Sequence, residues 1–126
     1  MVAEALSSYV CRFAAALEAA CAPPAGLITA LSGGPDSTAL ALLAEAYAQQ
    51  KAIPHRCIIV DHGLRSEAGA ESKRVVARMM DRGIAAKVVR VETPPPSSGI
   101  QEWARSQRYA LLGAAARQSG AVLLVG

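Results

Sequence analysis

The chain has 126 residues, of which 52% are hydrophobic and 18% charged, with a formal net charge of +3. That is one domain's worth of chain, with enough apolar side chain to offset the entropy lost on folding. Aromatic residues at 4% and only three cysteines exclude a disulfide scaffold, and the composition also excludes collagen, coiled coils and intrinsic disorder.

From Ala3 to Ala20, Leu6, Tyr9, Val10, Phe13 and Leu17 recur at three- and four-residue spacing. That spacing predicts a helix with one apolar stripe, stopped by Pro23, Pro24 and Gly26. Leu27–Leu31 is an apolar run of strand length, ending in Ser32-Gly33-Gly34-Pro35-Asp36-Ser37. Thr38 to Gln50 reads as a helix buried through Leu40, Leu43, Ala44 and Tyr47. Arg56–Val60 reads as a second strand, followed by Asp61-His62-Gly63-Leu64-Arg65. Ala70 to Arg82 reads as a helix with Val75, Val76, Met79 and Met80 inward and Lys73, Arg74, Arg78 and Arg82 outward. Lys87–Val91 alternates as a third strand, and the proline-rich stretch from Thr93 to Gly99 is a loop. Ile100 to Arg117 reads as a fourth helix and Ala121–Val125 as a fourth strand.

Apolar strands alternating with amphipathic helices predict an α/β fold, a doubly wound parallel sheet with four strands. Ligands of such sheets bind beyond the carboxyl ends of the strands. Every unusual motif falls there: residues 32–37, 61–65 and 92–99. The chain stops at Gly126, directly after the fourth strand. The expectation is therefore a piece of a longer protein, with the rest of its domain missing and an apolar sheet edge open to self-association.

Charge is uneven. Residues 1–60 carry three basic and four acidic side chains, residues 61–126 ten and six. The basic second half suits phosphate or nucleic acid, or is a solvated surface. Cys11, Cys21 and Cys57 form no Cys-x-x-Cys pair, so no zinc or redox motif is visible. They read as small hydrophobes in a reducing compartment. There is no signal peptide and no apolar run of membrane-spanning length. A cytoplasmic protein with no membrane partner is expected.

The hexapeptide 32–37 carries the chemistry. Glycines let the backbone approach a ligand, and the start of the next helix leaves N–H groups and a positive dipole end for an anion. Ser32 and Ser37 add hydroxyl donors. A Walker A loop would need a lysine after its second glycine, and here none is nearer than Lys51. Instead Asp36 sits inside the anion loop. A carboxylate beside phosphates needs a cation between them, which suits Mg²⁺. The plain alternative is a turn with Asp36 or Ser37 capping the helix.

Ser32-Gly33-Gly34-x-Asp36-Ser37 resembles the signature of the PP-loop ATP pyrophosphatases. Val60-Asp61-His62-Gly63-Leu64-Arg65, with Glu67 and Glu71, resembles the second-strand segment of tRNA(Ile)-lysidine synthases. Gly99 to Tyr109 resembles their Arg-x-x-Arg-Tyr helix, with Trp103 in a small-residue place as core or stacking surface. The resemblance spans residues 27–126 and implies a partial N-terminal ATP-binding domain. It implies a ligase that adenylates the wobble cytidine of an isoleucine tRNA, releases pyrophosphate, and lets free lysine displace AMP. It further implies ATP held by Ser32, Gly33, Gly34, Pro35, Asp36 and Ser37, with Asp36 also holding Mg²⁺. Asp61 and His62 meet the nucleotide or substrate, although a loop histidine bonding backbone is an equal reading of His62. Arg105 and Arg108 share a helix face. They neutralise the α-phosphate or hold tRNA phosphate, or form a solvated face; Arg65 reaches tRNA or is a surface arginine.

The family's His-x-x-Asp-Asp motif follows the fourth strand and lies beyond Gly126, as do its tRNA-binding domains. The 126 residues alone are expected to be inactive. The competing readings are a tRNA thiolase or amidating synthetase of the same superfamily, a non-catalytic ATP-binding module, and a plain α/β domain.

Overall fold

Four apolar runs of strand length, each separated from the next by a helix, have one simple way to share a sheet, which is in parallel. A computed structural model, describing residues 2–32, 34–63 and 68–125, takes that form. In chain order it places α1 (Val2–Ala20), β1 (Leu27–Ala30), α2 (Pro35–Lys51), β2 (His55–Asp61), α3 (Ala68–Asp81), β3 (Ala86–Arg90), α4 (Ile100–Ser119) and β4 (Val122–Val125). All strand pairs are parallel, in the order β3-β2-β1-β4. β1, β2 and β3 are laid down in one direction, and the chain then returns to place β4 on the far side of β1.

Side chains alternate across a strand, so odd and even positions meet different layers. Leu27, Leu31, Cys57 and Ile59 face α1, α2 and α3, packing on Leu17, Ala41, Ala44, Tyr47, Val75 and Met79. Ile28, Ala30 and Ile58 face the other way, onto Leu112 of α4. Helices therefore cover both faces, three on one and α4 on the other. The central strand β1 is buried throughout, which is why it reads as a continuous apolar run instead of an alternating one. Among the described residues no helix is long and apolar enough to cross a membrane.

Within elements, burial departs from the apolar stripes in a consistent way. α2 buries Ala41, Ala44, Tyr47 and Ala48, while Leu40 and Leu43 are only half-buried. Alanine lets this helix lie close on the sheet, between α1 on one side and α3 on the other, so the larger leucines are displaced to its flanks. Tyr9 and Met80 are exposed at 58% and 63%, at the margins of stripes whose centres are Val10 and Leu17, and Val75 and Met79. The Leu6 side chain lies outside the described residues. Of the cysteines only Cys57 is buried; Cys21 is half-buried and Cys11 exposed.

One polar network crosses the core. His55 places Nδ1 2.9 Å from the Glu45 carboxylate of α2 and Nε2 2.8 Å from the Thr29 hydroxyl of β1. Cys57 lies beside it, its sulfur 4.0 Å from His55 Nε2. Burial, helped by the Glu45 charge, pushes the Cys57 thiol up from an ordinary 9.0 to about 12. Burial and the Glu18 carboxylate raise the Tyr47 phenol above 10.0. Each group stays protonated in the fold after its unfolded counterpart has ionised. The Cys57 contribution is therefore complete below pH 9.0 and is lost as the pH rises towards about 12, and that of Tyr47 declines above pH 10.0. Denaturant unfolding across this alkaline range is expected to show falling stability, with a shallower fall in Cys57→Ala. An identical slope in the variant would remove Cys57 from the account.

Candidate active site

The turn after β1 is held by its own serines. The Ser32 N–H donates to Ser37 Oγ at 3.0 Å, and the two hydroxyls lie 3.0 Å apart. The Ser37 hydroxyl donates to the Gly34 carbonyl at 3.3 Å, and the Gly34 N–H donates to Ser32 Oγ at 3.3 Å. Thr38 adds its hydroxyl and its N–H to the same Gly34 carbonyl, at 2.9 and 3.1 Å. Ser37 is thus buried and engaged as a clasp, while Ser32 stays at the surface.

α2 starts inside the hexapeptide, with Gly34 as its N-cap and Pro35 in its first turn. Pro35 has no N–H to lose there. No side chain caps this helix end, so the N–H groups of Asp36 and Ser37 face the loop without intrahelical partners. The plain alternative, with Asp36 or Ser37 capping the helix, is not met; Ser37 closes the turn instead. Gly34 has φ −80°, open to any residue, and a Cβ there would meet Ser32 Oγ at an ordinary 3.5 Å. Neither backbone conformation nor a crowded neighbour requires the missing side chain at Gly34. Gly33 lies outside the described residues. The Asp36 side chain is exposed in the first turn of α2.

At the end of β2, Asp61 is buried and accepts the Gly63 N–H at 2.9 Å. Its second oxygen lies 4.0 Å from Arg90, its neighbour in register on β3. Asp61 therefore shapes the turn that carries His62. His62 Nε2 is 2.8 Å from the Ala104 carbonyl. That carbonyl only accepts, so Nε2 is the donor. The Trp103 ring meets the His62 ring edge-on at 6.1 Å. Trp103 is half-buried against His62 and is not a core residue. Leu64, Arg65 and Glu67, the rest of this motif, lie outside the described residues.

Beyond these strand ends opens a cleft of about 620 Å³. Ser32, Asp61, His62 and Arg108 line it, so the tertiary fold brings four of the expected site residues together. Gly34, Pro35, Asp36 and Ser37 sit next to it along the loop, and Arg105 is not in its wall. Arg105 and Arg108 both lie over the Tyr109 ring, at 5.6 and 5.9 Å. The opposite wall is α3, through Glu71, Ser72, Arg74 and Arg78. Reading Arg74 and Arg78 as outward-facing missed this. Their four-residue spacing marks one helix face, but only the packing of α3 says that this face borders the cleft. Among the described residues, no group of three or more His, Cys, Asp or Glu residues is arranged to hold a metal by itself. Replacing His62 by Phe keeps the ring and removes the bond to α4. It is expected to cost about 1 kcal/mol in urea unfolding, and an unchanged midpoint would mean the bond contributes nothing.

Residues 7–126 match the PP-loop domain family. The tRNA(Ile)-lysidine synthase of Methylobacterium nodulans is 43% identical over 101 residues, covering 79% of this chain and 29% of that protein. Its namesake in Novosphingobium aromaticivorans is 41% identical over 119 residues, covering 93% of this chain and 34% of that protein. The one in Mesorhizobium japonicum is 38% identical and covers 79% and 22%. The chain thus spans about a quarter to a third of the length of these relatives. Among solved structures, the U34-tRNA thiolase NcsA from Methanococcus maripaludis superposes with a TM-score of 0.67 at 21% identity, over 80% of this chain and 38% of that one. That likeness speaks for the fold alone. The family match extends from the first helix through the last strand, and the chain belongs to the PP-loop domain family.

Proposed function

We propose that this chain is the ATP-binding part of a tRNA(Ile)-lysidine synthase. The observation that carries the reading is the 38–43% identity to proteins of that name over some four-fifths of the chain. PP-loop membership implies ATP binding. In this reading the hexapeptide loop, Ser32 to Ser37, takes the pyrophosphate end of ATP. Phosphate oxygens meet the N–H groups of Asp36 and Ser37 and the positive end of α2. Ser32, at the surface, turns its hydroxyl from Ser37 to the ligand. At the lip of β2, Asp61 sets the turn from which His62 meets the nucleotide.

The exposed carboxylate of Asp36 fits Mg²⁺. It is anionic beside an anion loop, and no cap bond engages it. A lone carboxylate suits an ion that keeps waters and phosphate oxygens as its other ligands. When bound, Mg²⁺ supplies the charge that lets a carboxylate and a triphosphate share one site. Arg108, in the cleft wall, faces the α-phosphate, and Arg105 supports the same helix face.

The reaction assigned to the whole protein has two steps. The 2-oxygen of the wobble cytidine attacks the α-phosphorus of ATP, and the α–β bridging bond breaks to release pyrophosphate. The amine of free lysine then attacks carbon 2 of the base, and the adenylated oxygen departs with AMP. A ring carbonyl oxygen is a poor leaving group, and adenylation makes it a good one. The partners are isoleucine tRNA and lysine. The site for lysine and the remaining catalytic groups are assigned to the rest of the protein, so this chain alone binds nucleotide without turnover.

Calorimetric titration of Mg·ATP tests the site. The chain is expected to bind, and Asp36→Ala to lose Mg²⁺-dependent binding; equal affinity in the variant would sink the metal assignment. Arg108→Ala is expected to weaken nucleotide binding about tenfold or more, as for a hydrogen bond to a charged group, and Arg105→Ala less. The reverse order would contradict the cleft assignment. Transfer of labelled lysine to isoleucine tRNA by the whole protein tests the reaction. Transfer of sulfur instead would place the protein with the thiolases.

A further inference from the structure

The cleft has a wall that the nucleotide reading leaves unused. Arg74 and Arg78 are exposed and line the cleft from α3. Among the described residues neither forms an ion pair. The pairs present are Lys51–Glu18, His55–Glu45 and Arg90–Asp61. Their backbones stand one turn apart on α3, about 6 Å along the axis, and both residues line the same cleft. Glu71, one turn earlier on the same helix, borders the cleft but bonds neither.

Arg74 and Arg78 enter the cleft from the wall opposite the anion loop, whose Ser32 lines the same space. α3 packs on β2 and β3 through Val75, Met79 and the strand residues Cys57, Ile59 and Ala86. The hexapeptide loop follows β1, and neighbouring strands are about 4.8 Å apart. α3 thus sits on the β2–β3 side of the loop that takes the pyrophosphate, with its arginines in the cleft they share with Ser32. They suit a second line of negative charge running past the nucleotide. Two phosphates in succession along a single nucleic-acid strand have the matching repeat, and guanidinium is the group that binds such oxygens in pairs.

We propose that Arg74 and Arg78 hold two successive backbone phosphates of the substrate RNA, so that the RNA enters the cleft along α3 and presents a base towards the loop after β1. This assignment rests on the tRNA reading above, and it adds the route by which the RNA reaches the site. Phosphate contacts of this kind set register and contribute no base preference.

The test is the salt dependence of binding of a fluorescent anticodon stem-loop RNA, measured by anisotropy on the chain and its variants. In Arg74→Gln/Arg78→Gln the affinity is expected to fall about tenfold, and the slope of log K against log salt to shrink by about 1.4, or 0.7 for each lost contact on single-stranded RNA. Mg·ATP affinity, measured by calorimetry, is expected to stay within about twofold. Lys51→Gln/Arg117→Gln removes the same charge from the ends of α2 and α4, at the opposite edge of the sheet. That control is expected to leave the slope nearly unchanged. An unchanged slope in the α3 variant overturns the proposal, as does an equal loss in the control or no RNA binding by the parent chain. Loss of ATP affinity with the RNA slope intact also overturns it, and gives the two arginines to the nucleotide. RNA binding that depends on Arg74 and Arg78 in a chain that binds no Mg·ATP would sustain the RNA route while the nucleotide site failed.

Discussion

A parallel sheet collects every loop that follows a strand on one edge, and this molecule's chemistry depends on that constraint. Each of β1, β2 and β3 is followed by a helix that starts at the same edge, at Pro35, Ala68 and Ile100. Three helices thereby start at the edge where the cleft opens, with the positive ends of their dipoles on that side. The order β3-β2-β1-β4 puts β1, buried and central, beneath the hexapeptide loop. An edge built this way favours a polyanionic ligand before any single side chain is considered.

The residues at this edge divide into those that build it and those left free to act. Ser37, Asp61 and the Nε2 of His62 are already engaged. They close the first turn, shape the second, and tie the second turn to α4 through Ala104. Asp36, Arg108, Arg74 and Arg78 form none of the ion pairs among the described residues and border or adjoin the cleft. The division follows from exposure. Ser37 and Asp61 are buried and must be hydrogen-bonded, whereas charged groups at the rim keep their water until a ligand displaces it.

The core obeys the same accounting. His55, Glu45 and Thr29 form a buried polar chain across two strands and a helix, and among the described residues no buried side-chain polar atom is left without a partner. Alanines on α2 bring the helix close enough to the sheet for Glu45 to reach His55. The network and the small-residue packing are therefore one feature: a bulkier stripe at Ala41, Ala44 and Ala48 would lift the helix and leave a histidine unpaired in the core.

Period and punctuation were legible in the sequence, since they are local. Alternating apolar runs and helical stripes located all eight elements to within a few residues, and Ser32, Asp61, His62 and Arg108 of the singled-out motifs fell in the wall of one cleft. What the sequence could not supply came from side chains meeting across distant elements. Trp103 resembles a core residue by composition, yet α4 turns it onto His62. Arg74 and Arg78 read as solvent-facing along α3, and only the packing of α3 on β2 and β3 makes them a cleft wall. The hydroxyls of Ser32 and Ser37 look like free donors in a linear motif, yet the closed turn pairs them with each other. The sequence by itself determined the elements, their parallel arrangement and the strand ends that carry the chemistry, because periodicity and turn residues act within a few positions. The tertiary structure alone decided which polar groups build the site and which stay free, because a hydrogen bond or a cleft wall depends on distances between segments that no local pattern records.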